Sequence, residues 1–163
     1  MDPPPSSTWI LTGSLENFRI NLERGFDVIG LKERRLRQAE QLAPGDEVIF
    51  YVTGVQAFGG IVRVTSPMFE DRDPIWPQGK KKVHEDYPWR VEASPVAVLA
   101  EEDFIPAESM LGKLEHLAKW PVEHWHLAFQ GQLRTISPAD SKLLQERIAA
   151  RAGSTAPPSL HRS

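Results

Sequence analysis

Leu42-Ala43-Pro44-Gly45-Asp46-Glu47-Val48-Ile49-Phe50-Tyr51-Val52-Thr53 is followed, after Gly54-Val55-Gln56, by Ala57-Phe58-Gly59-Gly60-Ile61-Val62-Arg63-Val64-Thr65. Pro44-Gly45-Asp46 reads as a tight turn. The two runs after it are rich in β-branched and aromatic residues and poor in Leu and Ala, which favours paired antiparallel strands over a buried helix. Gly54 marks the turn between them, and the Gly59-Gly60 pair interrupts the second.

Upstream, Trp9-Ile10-Leu11 is a short apolar run ended by Gly13, a buried strand. Ser14 then caps a helix carrying Leu15, Phe18, Ile20 and Leu22, which Gly25 stops. Val28, Ile29 and Leu31 around Gly30 form another short strand, and Glu33 to Leu42 is expected as one helix with a charged outer face. Downstream, a short strand is expected at Met68-Phe69, and Asp71 to Asp86 reads as a long loop holding Pro74, Pro77, Gly79 and Lys80-Lys81-Lys82. Tyr87 to Leu99 returns to strand, with a bulge or edge at Ser94-Pro95. A helix is expected over Glu108 to Ala118, a last strand over Leu127 to Ile136, and a capped helix starts at Ser137-Pro138-Ala139-Asp140. The helices do not alternate strictly with strands, so the class is α+β: a curved, mostly antiparallel sheet forming a small barrel with flanking helices.

The 163 residues suit one domain, expected over 8–151, with the Pro-rich 1–7 and the Gly/Ser/Pro-rich 152–163 as disordered tails. No apolar run approaches membrane-spanning length and no leader pattern opens the chain, so no membrane partner is expected and the expected compartment is cytoplasmic. With no cysteine, disulfides, thiol nucleophiles and thiolate metal sites are excluded. A net charge of −3 disfavours wrapping of nucleic acid by a broadly basic surface but leaves room for a local basic groove.

Trp9-Ile10-Leu11-Thr12, Gly30 after a short helix, Leu42 to Tyr51, Phe58 to Val64, Glu70-Asp71 with Trp76 downstream, Tyr87-Pro88 before Arg90-Val91, and Ile136-Ser137-Pro138-Ala139-Asp140 follow one another in an order that resembles the EVE domain. The resemblance spans nearly the whole folded region and implies a PUA-like barrel related to YTH domains. It also implies a non-catalytic reader whose partner is DNA or RNA carrying a modified base, with no cofactor. Phe18 stands where relatives often carry a second Trp.

A base offers two π faces and a polar edge, so its pocket needs flat rings and a few fixed polar groups. Trp9, Tyr51, Trp76 and Tyr87 are the candidate rings, and Thr12, Ser14, Asn17 and Thr53 the candidate edge readers. The resemblance adds Phe18, Pro88 and Arg90. Core packing is the competing explanation for each aromatic, and Trp89 and Trp120 are assigned to the core. Trp76, in a Pro-rich loop, is expected at the pocket, where Trp76→Ala and Asn17→Ala would lower affinity and leave the thermal midpoint nearly unchanged. Lys32, Arg34, Arg35, Lys80, Lys81 and Lys82 are the candidate phosphate contacts.

Glu70, Asp71 and Asp73 could hold Mg²⁺ in a nuclease, but a charged loop beside Pro74 accounts for them better. His124 and His126 would share a strand face as zinc ligands can, yet a third ligand is missing and a structural strand is preferred. A small hydrolase acting on a nucleoside or amide, or a nucleic-acid-processing enzyme, is the alternative function, and a plain protein-interaction module the third.

Overall fold

The computed structural model of the chain describes residues 6–76 and 86–155. Lys80, Lys81 and Lys82 lie outside the described residues, as do residues 1–5 and 156–163 of the expected tails. Ser7 is already tied in: its amide donates to Asp46 Oδ1 at 2.9 Å and its carbonyl accepts from Glu47. The closing helix runs to Thr155, beyond the expected boundary at Arg151.

Among the described residues eight strands form one mixed, curled sheet: β1 (Thr8–Gly13), β2 (Val28–Leu31), β3 (Glu47–Val52), β4 (Ala57–Val64), β5 (Phe69–Glu70), β6 (Trp89–Val98), β7 (Ile105–Pro106) and β8 (Leu133–Ile136). Their order is β2-β6-β4-β3-β1-β8, with β5 on β6 and β7 on β4. Among the described residues only β1 and β3 pair in parallel, Thr8 opposite Glu47 through Gly13 opposite Val52. The other pairings are antiparallel, β3 with β4 among them. The helices are α1 (Leu15–Glu23), α2 (Leu36–Ala39), α3 (Glu115–Ala118) and α4 (Pro138–Thr155). Among the described residues no helix is long and apolar enough to cross a membrane.

Two irregularities curl the sheet. Between β3 and β4 the register steps from Phe50 opposite Gly60 to Tyr51 opposite Phe58, so Gly59 has no register partner on β3. A Cβ there would lie 2.8 Å from the Phe18 ring, so glycine lets α1 pack onto the bulge. The second step, Ile61 opposite Ala97 and Val62 opposite Pro95, skips Val96 and puts a bulge beside the expected Ser94-Pro95.

Three expected elements come out differently. Glu33 to Leu42 is a 3-10 turn over Glu33–Arg35 and then the single-turn α2; the chain enters it extended at Lys32, with no side-chain cap. Glu108 to Ala118 splits into a 3-10 turn (Ala107–Met110) and α3, because Leu111 and Leu114 adopt extended backbone and Gly112 has a φ of +79°. Leu127 to Ile136 is not one strand: Val122–Phe129 coils into 3-10 turns that carry His124 and His126, and only Leu133–Ile136 pairs with β1. Apolar residues recur in each stretch, but these segments bury them as short turns. The Ser137 start is as read, with Ser137 Oγ accepting from the Asp140 amide at 3.2 Å.

Asp140 also ties α4 to α3. Its carboxylate accepts from the amides of Glu115 (2.8 Å) and His116 (2.9 Å), giving the short helix the cap its own residues lack. At the same end of the sheet, where β1 and β3 start, Asp46 accepts from the Ser7 amide, the Ala43 amide at 3.1 Å and the Trp9 indole at 3.0 Å.

Candidate nucleic-acid interface

Because β1 and β3 run the same way, their C-terminal ends adjoin, with Thr12 beside Tyr51 and Gly13 beside Val52. Gly13 leads directly to Ser14, the cap of α1, whose Oγ accepts from the Asn17 amide at 3.1 Å. Gln132, just before β8, closes the same end, its carbonyl accepting from Thr12 at 2.8 Å. At this junction a recess of about 40 Å³ opens, floored by Leu11, Ile29 and Phe50. It widens into a bowl of about 590 Å³, and Thr12, Asn17, Tyr51, Tyr87 and Gln132 line both.

Of the expected pocket residues, the structure brings Thr12, Ser14, Asn17, Phe18, Tyr51, Trp76 and Tyr87 to the inner recess, and Thr53 to the outer bowl. Tyr51 stacks on Phe129 with centroids 4.0 Å apart and planes 11° apart, and burial pushes its phenol pKa up to about 12. The hydroxyl therefore stays protonated at neutral pH.

Trp76 is 7% exposed, its indole N–H donating to Asn21 Oδ1 at 2.8 Å. Its ring meets Tyr87 edge to face at 5.6 Å, forming a corner of the recess. This burial revises the expected outcome for Trp76→Ala, since removing a buried Trp costs about 3–5 kcal/mol of stability.

Trp9, Pro88 and Arg90 do not line the recess or the bowl. Trp9 sits at the start of β1, about 13 Å of extended chain before Gly13, and its indole is engaged by Asp46. Pro88 is buried, its carbonyl accepting from the Asp71 amide. Arg90, 1% exposed, donates to the carbonyls of Tyr87 (3.0 Å), Asp73 (2.5 Å) and Asp86 (3.2 Å). Its guanidinium lies 5.3 Å from the Trp76 ring centroid, so it holds both arms of the loop and backs the indole. Burial lowers its pKa, opposed first by Asp71 at 3.5 Å.

Lys32, Arg34 and Arg35 line the bowl, facing a single carboxylate, Glu16, among its lining residues. The Nε of Arg35 is buried without a hydrogen-bond partner among the described residues. Its Nη2 and that of Arg134 lie 3.8 and 3.7 Å from where a Cβ on Gly131 would sit, so two guanidinium groups adjoin one glycine at the rim.

Arg134 was not legible from sequence, nor were Asn21 and Gln132. Asn21 carried the clearest available signal: three residues after Phe18, it is a polar side chain on the buried face of α1.

Among the described residues no group of three or more His, Asp or Glu is arranged to hold a metal ion. Glu70 and Glu33 both pair with Arg72, at 2.7 and 2.8 Å. Trp89 is half-buried, its indole donating to the Glu33 carbonyl at 2.7 Å, and Trp120 packs partly buried against the core.

Residues 7–145 match the EVE domain. The chain belongs to the EVE domain family. It is 27% identical over 153 residues to a UPF0310 protein of Pyrococcus abyssi, covering 87% of this chain and 99% of that one. Among solved structures it resembles the YTH domain of the Zygosaccharomyces rouxii MRB1 protein, in complex with N6-methyladenosine RNA. That match has a TM-score of 0.61 and 18% identity over 91% of this chain and 87% of the other. A hypothetical protein from Leishmania major matches with a TM-score of 0.52 and 14% identity, covering 90% and 98%. At these identities the solved structures establish the fold: this EVE domain is PUA-like, a curled half-barrel flanked by helices.

Proposed function

We propose that this EVE domain is a non-catalytic reader that takes an unpaired or flipped-out modified base of DNA or RNA into the bowl. The observation that carries the reading is the juxtaposition, at one end of the sheet, of a two-step cavity, the Trp76–Tyr87 corner and a cationic rim. A YTH domain of the same fold is solved with N6-methyladenosine RNA, which supports it.

The bowl, at about 590 Å³, has room for a heterocycle, whereas the inner recess, at about 40 Å³, holds little more than one water-sized group. The base lies in the bowl against Tyr87, the ring of the corner that lines both cavities, and sends one small substituent inward. A stack is worth about 1–3 kcal/mol per base, comparable with the few kcal/mol of extrusion, so a base already weakly paired is favoured. Lys32, Arg34, Arg35 and Arg134 hold the flanking phosphates and set affinity without reading sequence.

The test is fluorescence anisotropy on short single- and double-stranded oligonucleotides differing in one central base, modified or not, with product analysis after incubation. Saturable binding that prefers one modified base, with the oligonucleotide recovered intact, is expected. Turnover of the oligonucleotide, or equal affinity for every base, overturns the reading.

A further inference from the structure

Two buried amides face the inner recess, and each has its orientation set by a neighbour. Asn21, 7% exposed, accepts the Trp76 indole N–H on Oδ1 at 2.8 Å. Gln132, 9% exposed, accepts the Lys32 backbone N–H on Oε1 at 2.9 Å. Only an oxygen can accept these N–H groups, so in both side chains the NH₂ is the end left over. Neither NH₂ has a hydrogen-bond partner among the described residues, yet neither is sealed from solvent, and both residues line the recess.

Tyr51, on the same recess, adds a phenolic O–H that likewise lacks a partner among the described residues. No carboxylate lines the recess among the described residues. Behind it, the Arg90 guanidinium already occupies a position 5.3 Å from the Trp76 ring. That guanidinium is ion-paired with Asp71 at 3.5 Å, so the recess offers hydrogen-bond donors and no acidic group to receive a cation.

We infer that the inner recess selects a neutral nucleobase that presents a carbonyl oxygen, such as a 2-oxo or 4-oxo pyrimidine, and rejects cationic alkylated bases. This rests on the base-reading function proposed above and specifies its ligand. A carbonyl oxygen projects from its ring, fits a water-sized recess, and has two lone pairs for two donors. A ring nitrogen does not project and reaches the donors less well. A cationic base finds no carboxylate in the lining of the recess and brings its charge toward donor N–H groups, whose dipoles oppose it.

The experiment titrates the full chain with single-stranded oligonucleotides identical except for one central modified base, in purine flanks: 5-hydroxymethyluracil, 5-methylcytosine, N6-methyladenine, 3-methylcytosine or 1-methyladenine. The two neutral oxo pyrimidines are expected to bind about ten-fold or more tightly than the other three. Gln132→Glu and Asn21→Asp keep the oxygen that accepts the backbone or indole N–H and replace the NH₂ by a second oxygen. Each is expected to lower oxo-base affinity about ten-fold and to raise that for 3-methylcytosine. N6-methyladenine or a cationic base binding the wild type as tightly as the oxo pyrimidines overturns the inference, with no variant needed. So does unchanged oxo-base affinity in a folded Gln132→Glu protein. If the wild type prefers no base over any other, the base reading itself fails, a result distinct from binding with the wrong preference.

Discussion

The six-membered ring of Trp76 fills the space that a Cβ on Gly30 would occupy. The indole comes from the loop after β5 and the glycine from the middle of β2, so the bare backbone of one strand forms the seat for the other's side chain. Tyr87 Cβ stands 3.1 Å from the same point, leaving the indole no room to slide that way. Gly30→Ala must push the ring out of its seat. A stability loss of about 1–3 kcal/mol in chemical denaturation is expected, with a change in Trp emission and weaker base binding. Unchanged emission together with unchanged stability refutes this packing.

Tyr87 separates binding from folding better than Trp76 does. It is only half-buried and meets the indole edge on. Tyr87→Ala should reduce affinity for the preferred base by about 1–3 kcal/mol while Tyr87→Phe keeps most of it, both with near wild-type thermal midpoints. Equal losses in the two variants would assign the effect to the hydroxyl instead.

Arg35 and Arg134 flank Gly131 at the rim, where a phosphate would bridge them. For single strands each neutralised phosphate contributes about 0.7 to the slope of log K against log salt. Arg35→Gln and Arg134→Gln should each flatten that slope by up to this amount and weaken all sequences alike. A loss confined to one base would mean the guanidinium reads the base itself.

Asp46 gathers three N–H donors, from Ser7, Ala43 and Trp9, at the end of the sheet away from the bowl. Asp46→Ala leaves all three without their acceptor, and a stability loss of about 2–5 kcal/mol is expected with unchanged base preference in the folded fraction. Comparing denaturation midpoints with binding by the folded protein checks both halves.

His116 links stability to pH. Its Nε2 lies 2.7 Å from the Ala128 carbonyl, so this nitrogen carries the proton of the neutral ring. Burial lowers its pKa below the ordinary 6.5, outweighing the bond to Ala128, which acts in the opposite sense. The unfolded chain thus takes up a proton before the folded one does. The stability contribution is fully present above about pH 6.5, declines as pH falls below that, and is lost once pH passes the folded value. His116→Gln can still donate to Ala128 and does not titrate. Its stability should vary less between pH 7 and 5 than that of the wild type, as urea titrations would show.

Local chemistry made much of the fold readable. Asp140 after Ser137-Pro138 starts a helix because the hydroxyl satisfies a free amide within three residues, and Val48 to Val52 reads as strand because β-branched and aromatic residues suit a pleated surface. The same reasoning failed at Leu127, Leu111 and Leu36, where a spacing of apolar residues is shared by short turns and regular elements. At the candidate site, the ends of β1 and β3 and the start of α1 are legible as chain features, which is why Thr12, Ser14, Asn17 and Tyr51 can be read from the sequence. Asn21 and Gln132 cannot, because an amide gives no local sign of which neighbour will pin its oxygen.

By itself, the order of residues determined where the capped helices and the β-branched strands begin, that no thiol chemistry is available, and that rings and cations are present in supply. Only the tertiary structure decided which of them meet. Trp9 and Trp76 are the same side chain, yet one is held by Asp46 at the far end of β1 and the other roofs Gly30 beside the recess. The physical reason is that the donor-lined recess arises from contacts between residues as far apart in the chain as Lys32 and Gln132, and such pairings are set by the curl of the sheet rather than by any local preference.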